Sequence, residues 1–213
     1  MPHCLFGSAV FVFCFRQRRK ENEKMENTKK LNIKKITLCG VMIALGTVLS
    51  FLKPYEPPLG GGVTILSMVP VAFLSCMLGL KWGFGAAFAY SLIQLFISMG
   101  EVMSWGLTAG AVIATFLLDY IIAYTILGIS GIFRKKGIWG IVVGVALATF
   151  IRFLCHFVTG VYIFDIWMPD DWNNVWIYSL CYNGGYMLPE IILTCVGTAL
   201  LVKTKAIQRM LKI

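Results

Sequence analysis

Six apolar stretches, near residues 36–52, 62–80, 83–99, 105–132, 138–164 and 175–202, follow one another along this 213-residue chain with only short polar breaks between them. Each reaches a length that crosses a hydrocarbon core, about 17 to 25 helical residues. Lipid supplies no hydrogen-bond partners, so a spanning segment must satisfy its own backbone. The ten-residue alternation of barrel strands is absent, and the stretches therefore read as transmembrane helices. The last three exceed the minimum, which requires tilt or protruding ends. Composition agrees: 58% of residues are hydrophobic, 14% are charged, and mean hydropathy is +0.79. These values exclude a water-soluble globule, a disordered chain and a basic nucleic-acid groove. The predicted fold is an all-α integral membrane six-helix bundle.

The formal charge of +9 sorts by side. Every Lys and Arg except Lys53 and Arg152 falls before the first stretch, at Lys81, at residues 134–136, or after the last stretch. The positive-inside rule then puts both termini in the cytoplasm. The opposite loops carry Glu56, Glu101, Asp165, Asp170 and Asp171. Trp82 and Trp139 fall at the inner interface and Trp105, Trp167, Trp172 and Trp176 at the outer one, as an aromatic belt requires. The seven cysteines include no CxxC pair and lie mostly in apolar runs, so neither a zinc site nor a disulfide framework is indicated.

The beginning of the chain divides in two. Residues 4–15 form an apolar run too short to span, followed by RQRRKENEK and no small-residue cleavage site. Residues 1–24 are expected to be a non-native or disordered extension, with Met25 as the true start. Residues 25–35 form a basic cytosolic lead-in, and 36–213 the membrane domain.

Ionisable groups within a span cost roughly 2.5 to 3.5 kcal/mol at the helix centre, which makes each a candidate for function. There are four: Asp119, Arg152, His156 and Glu190. At about 1.5 Å per residue, His156 and Asn183 lie roughly 12 Å below the outer ends of their helices, with Arg152, Asp119 and Glu190 just deeper. Arg152 and His156, four apart, share a face of the fifth helix. Tyr178, Tyr182 and Asn183 open the sixth, and Asp119 and Tyr120 are adjacent on the fourth. Together they outline a cavity open to the outside, between helices four, five and six, closed by the 53–62 loop. Its carboxylates and aromatic faces suit a small, flat, cationic, hydrogen-bonding molecule. Asp119 or Glu190 could instead pair with Arg152 as a structural ion pair, leaving the other acid to face a ligand.

Two other signals point to packing. Gly106–Gly110 and Gly140–Gly144 have GxxxG spacing, which favours close helix approach. The run 128–131, GISG, resembles the nucleophile motif of rhomboid proteases. Its Ser130, however, sits at the cytoplasmic end of helix four, some 27 Å along the next helix from His156, far beyond the reach of a nucleophile and its base. No phosphate loop, zinc motif or dinucleotide fingerprint occurs, and the chain is not expected to be an enzyme.

The segments GGGVTILSMVP (60–70), LLDYIIAY (117–124), RFLCHFVTG (152–160) and WIYSLCYNGGYMLPE (176–190) resemble the thiamine-specific substrate-binding subunit of energy-coupling factor transporters, also described as the proton-coupled thiamine transporter family. The resemblance runs in order from about residue 33 to the end of the chain. It implies a multi-pass subunit of the bacterial plasma membrane that captures extracellular thiamine and does no chemistry. Its partners would be a transmembrane coupling subunit and two ATPase subunits, which consume ATP, while the chain itself needs no cofactor. By the same likeness the thiamine-binding residues are Asp119, Tyr120, His156, Phe164, Tyr178 and Asn183, and Gly40 and Ala44 dock the coupling subunit. Asp119 stands where relatives often have Glu, Phe164 where some have Trp, and Gly60–Gly62 where some have a further loop Trp. Trp167 or Tyr162 could assist Phe164. Other readings are a subunit for a thiamine precursor or another vitamin, and an autonomous proton-coupled carrier.

Overall fold

The computed structural model describes residues 4–57 and 60–211. It divides into two units, residues 1–38 and residues 39–213. The first is the leading part of helix α1 (Cys4–Ser50), so the expected extension, from residue 4 onward, is helical; residues 1–3 lie outside the described residues. The second unit holds the rest of α1 and then α2 (Val69–Leu78), α3 (Leu80–Ser104), α4 (Ala109–Gly131), α5 (Gly137–Tyr162), α6 (Val175–Lys203) and a short terminal α7 (Lys205–Leu211). Among the described residues there is no strand, only an isolated bridge between Tyr55 and Val63.

Among the described residues, five helical segments are long and apolar enough to cross a membrane, and α2 is a further, shorter apolar helix. The second stretch corrects the expectation of a helix over 62–80. Only Val69–Leu78 is helical, 10 residues or about 15 Å. The chain above it is irregular because Gly60 and Gly61 adopt φ of +86° and +85°, Leu66 sits at φ +61°, and Pro70 favours a helix start near its own position. Irregular backbone at membrane depth is tolerated where it lines a cavity, and it does so here. At the other end α2 stops at Gly79, φ +92°, against the Arg134 guanidinium, which donates to the Met77 carbonyl at 3.4 Å. A cation at a helix C-terminus is favourable, and it ties the end of α2 to the basic turn Arg134–Lys136.

Packing inverts the order of a soluble protein. Phe84, Phe88, Phe96, Ile113, Leu117 and Phe150 point outward, as a hydrocarbon solvent demands, while Asp119, Arg152 and Glu190 are buried. One apolar cluster joins Met68 and Val71 to Ala87, Tyr90 and Leu127; another joins Phe73 and Cys76 to Ile141 and Val202. Small residues permit the closest approaches. A Cβ on Gly144 would strike the Ser130 carbonyl, and one on Gly140 the Phe133 carbonyl, whereas Gly106 and Gly110 face open space. Of the two GxxxG pairs, only the second packs. The GISG run is a packing corner as well. The Ser75 hydroxyl donates to the Gly128 carbonyl and accepts from the Gly131 N–H at 3.0 Å. Ser130 itself is fully buried and does not line the cavity described below.

Gly144→Val is expected to destabilise the bundle by about 1–3 kcal/mol, the usual cost of overpacking, while Gly110→Ala stays within about 0.5 kcal/mol. Thermal unfolding in detergent reads both, and equal melting temperatures would contradict the close approach at Gly144.

Candidate binding cavity

Helix α4 does not keep α-helical geometry. Its first turns, Ala109–Thr115, are α-helical and capped by Thr108, whose hydroxyl accepts from the Ala111 N–H at 3.3 Å. Phe116–Ile122 then widen into a π-helix, and the helix ends as a 3₁₀ segment over Ile126–Gly131. Segments of π-helix mark functional positions because the wider turn re-aims a side chain. The one it buries is Asp119.

Asp119 is 7% exposed and meets helix α5 through a single oxygen. Oδ1 accepts from the Thr159 hydroxyl at 2.7 Å and lies 2.9 Å from His156 Nδ1. His156 Nε2 is buried without a hydrogen-bond partner among the described residues. The imidazole meets the Tyr186 ring edge-on at 6.2 Å. On α6, capped by Asn174 through the Trp176 N–H at 2.9 Å, Asn183 is fixed at both ends. Its Oδ1 accepts from the Tyr186 hydroxyl at 2.7 Å, and its Nδ2 donates to the Ser179 carbonyl and hydroxyl at 3.1 Å each. This fit needs Gly160 on α5, where a Cβ would come within 2.6 Å of Asn183 Nδ2.

These groups surround a cavity of about 130 Å³. A single water requires only about 10–15 Å³, so the space suits an organic molecule. Asp119, Tyr120, His156, Phe164, Tyr178 and Asn183 all line it. Gly40 and Ala44 lie elsewhere, exposed on α1, with nothing within 4 Å of a Cβ placed on Gly40.

The mouth is aromatic. Phe164 and Trp167 stack at 5.3 Å with a 10° interplanar angle, and Trp105 meets both edge-on at 5.7 Å. Trp105 and Trp167 therefore turn into the cavity rather than forming only a belt. Tyr162 does not join them: it is 70% exposed and packs edge-on against Trp176. Trp105 also covers Gly60, where a Cβ would approach its ring to 2.9 Å, so the residue that follows α3 supplies an aromatic group beside the glycine loop.

The alternative of an ion pair between Arg152 and either acid is not formed among the described residues. Its guanidinium stacks over the Tyr124 ring at 3.6 Å, and Nε and Nη1 have no hydrogen-bond partner. Glu190 takes its donors from Thr64 instead, the N–H at 2.7 Å and the hydroxyl at 2.5 Å. The cavity also extends beyond helices four to six. Ser50, Thr64, Ser67, Gln94 and Glu101, from the end of α1, the irregular stretch and α3, form a second polar wall. Sequence reasoning missed these because each is an ordinary polar residue until the fold brings it inward. Of this group, only the Gly-rich approach to Thr64 left a local signal.

Comparison with known proteins places the chain. The family model described as thiamine transporter protein matches residues 36–210. The thiamine transporter ThiT of Bacillus subtilis (strain 168) is 32% identical over 159 residues, 69% of this chain and 78% of that protein. ThiT of Lacticaseibacillus paracasei is 29% identical over 148 residues, 63% of this chain and 70% of that one. A solved structure of ThiT from Listeria monocytogenes superposes with a TM-score of 0.69 at 19% identity, covering 84% of this chain and 98% of that one, and so shares the fold. The span matched from 36 to 210, together with the identity to the Bacillus protein, shows that this chain belongs to the thiamine transporter protein family, a family of membrane transporters and not of enzymes.

Proposed function

We propose that this chain is the capture subunit of a vitamin importer in the bacterial plasma membrane, taking thiamine from outside and passing it on through an ATP-driven energy-coupling factor complex. One observation carries the reading. A carboxylate buried at 7% exposure, Asp119, lines a cavity walled by aromatic rings in a chain whose family transports thiamine. Thiamine joins an aminopyrimidine, rich in donors and acceptors, to a thiazolium that carries a permanent positive charge. With Thr159 and His156 both on Oδ1, the Asp119 Oδ2 is the oxygen offered to the ligand. His156 Nε2, which has no hydrogen-bond partner among the described residues, and the Asn183 amide complete the polar set. Phe164, Tyr120 and Tyr178 give ring faces to a flat cation. A neutral analogue leaves the buried acid without its counter-charge, and that loss sets selectivity.

The chain holds no cofactor of its own in this scheme. ATP is consumed by two partner ATPase subunits, and a transmembrane coupling subunit docks on the exposed small-residue face of α1 at Gly40 and Ala44.

Trp105 and Trp167 at the mouth make binding visible. Titration of the purified protein with thiamine should change tryptophan fluorescence and saturate at one ligand per chain, while riboflavin gives no saturable change. A flat response to thiamine sinks the proposal. Asp119→Asn should weaken thiamine binding by about 10- to 100-fold, the worth of a charge-assisted hydrogen bond, and Arg152→Lys by less than about threefold. An Asp119→Asn variant with parental affinity removes Asp119 from the assigned role. In vesicles, the chain alone should accumulate no thiamine, and accumulation should require the coupling subunit, the ATPases and ATP. Uptake by the chain alone would identify an autonomous carrier instead.

A further inference from the structure

Tyr182, Tyr186 and Glu190 recur every four residues, so they share one face of α6. Each touches a different point of the irregular stretch that follows the outer loop. The Tyr182 hydroxyl donates to the Gly60 carbonyl at 2.9 Å. The Tyr186 ring lies against Gly61, where a Cβ would come within 2.7 Å. Glu190 accepts from both the N–H and the hydroxyl of Thr64, and that hydroxyl also meets the Ser67 hydroxyl at 2.5 Å. One helix face thus fixes residues 60, 61 and 64 in order along its axis.

The same residues wall the cavity. Gly60 and Gly61 sit at positive φ, where glycine's own preferences leave the chain free. Side chains of α6 therefore help to set its course, beside the Val63 N–H bond to the Tyr55 carbonyl at 2.9 Å and the Ile65 N–H bond to the Leu52 carbonyl at 3.0 Å. Glu190 is 2% exposed, and each of its oxygens accepts a bond from Thr64, a residue 126 positions away.

We propose that Glu190 is a positioning residue for capture: by taking both donors of Thr64 it holds segment 60–64 in place as part of the cavity wall, and through that segment it governs how long the bound vitamin stays. The inference rests on the thiamine reading above. Loosening this bond raises the dissociation rate and leaves the association rate nearly unchanged, because changes in the contacts around one site fall mainly on dissociation.

The test uses the full chain loaded with radiolabelled thiamine and chased with excess unlabelled thiamine. Thr64→Val, which removes the hydroxyl donor, and Glu190→Gln, which replaces one acceptor with a donor, should each release label about tenfold faster, with association rates within about threefold of the parent. Thr64→Ser restores the hydroxyl and should release within about twofold of the parent rate. The double variant should release no faster than the faster single one, because both act on the one contact between residues 64 and 190. Leu188→Ala, on the outward face of α6 at 60% exposure, should release at the parent rate. Single variants that release like the parent, or a double variant whose effects multiply, overturn the inference. Should Glu190→Gln fail to fold, the contrast between Thr64→Val and Thr64→Ser decides alone. A parent that retains no thiamine overturns the thiamine reading, and this inference with it, whereas a parent that retains it with unaltered variants overturns this inference only.

Discussion

Inside a bilayer no water completes a hydrogen bond that the protein leaves open, and a carboxylate there must find its donors within the fold. Asp119 and Glu190 solve this with the same residue type. Thr159 reaches Asp119 from the neighbouring helix, and Thr64 reaches Glu190 from the irregular stretch. The two links differ in what they join. The first ties α4 to α5, two rigid walls. The second ties α6 to a stretch with no regular structure of its own. The same physical demand thus builds a fixed wall in one place and a fastened flap in the other. The Arg152 guanidinium, held over a tyrosine ring rather than by an acid, leaves both carboxylates to these roles.

Much of the architecture was readable in the sequence because a bilayer imposes length and polarity so strictly. The first stretch and the last four became membrane-length helices, and the basic turn after α4 lies against the end of α2. The second stretch misled because apolar character marks burial, not conformation. Residues 62–68 are as apolar as a helix, yet the preceding glycines and the left-handed Leu66 leave them irregular. Of the six candidate site residues, Asp119, His156 and Asn183 were legible for a related reason, that polar groups at membrane depth stand out against their surroundings, whereas Phe164 came from the family resemblance alone; all six line the cavity. The partners that orient them were not legible. Thr159, Gly160 and Ser179 are unremarkable letters whose meaning depends on which helix lies opposite, and one sequence carries no record of that pairing.

The tryptophans show the same limit in another form. Composition assigned Trp105 and Trp167 to the membrane interface, and depth alone cannot say whether such a ring faces outward or inward. Here both close around Phe164, while Trp139, at 80% exposure, has the outward setting expected of a belt residue. Gly60 reveals the reason on the inner side: the chain passes so near the Trp105 ring that no side chain would fit between them.

The π-helical stretch of α4 has a further effect on how that helix is read. A wider turn absorbs about one additional residue, so the stripes above and below it run out of phase by roughly 100°. The apolar stripe that includes Ile113 and Leu117 cannot simply be continued at α-helical spacing into the segment that carries Leu127 and Gly128. The aim of Asp119 is therefore encoded in the number of residues as much as in their identity. Deleting an apolar residue of this stretch that does not line the cavity, such as Leu117, would leave every lining side chain present and bring the wrong one round to face it.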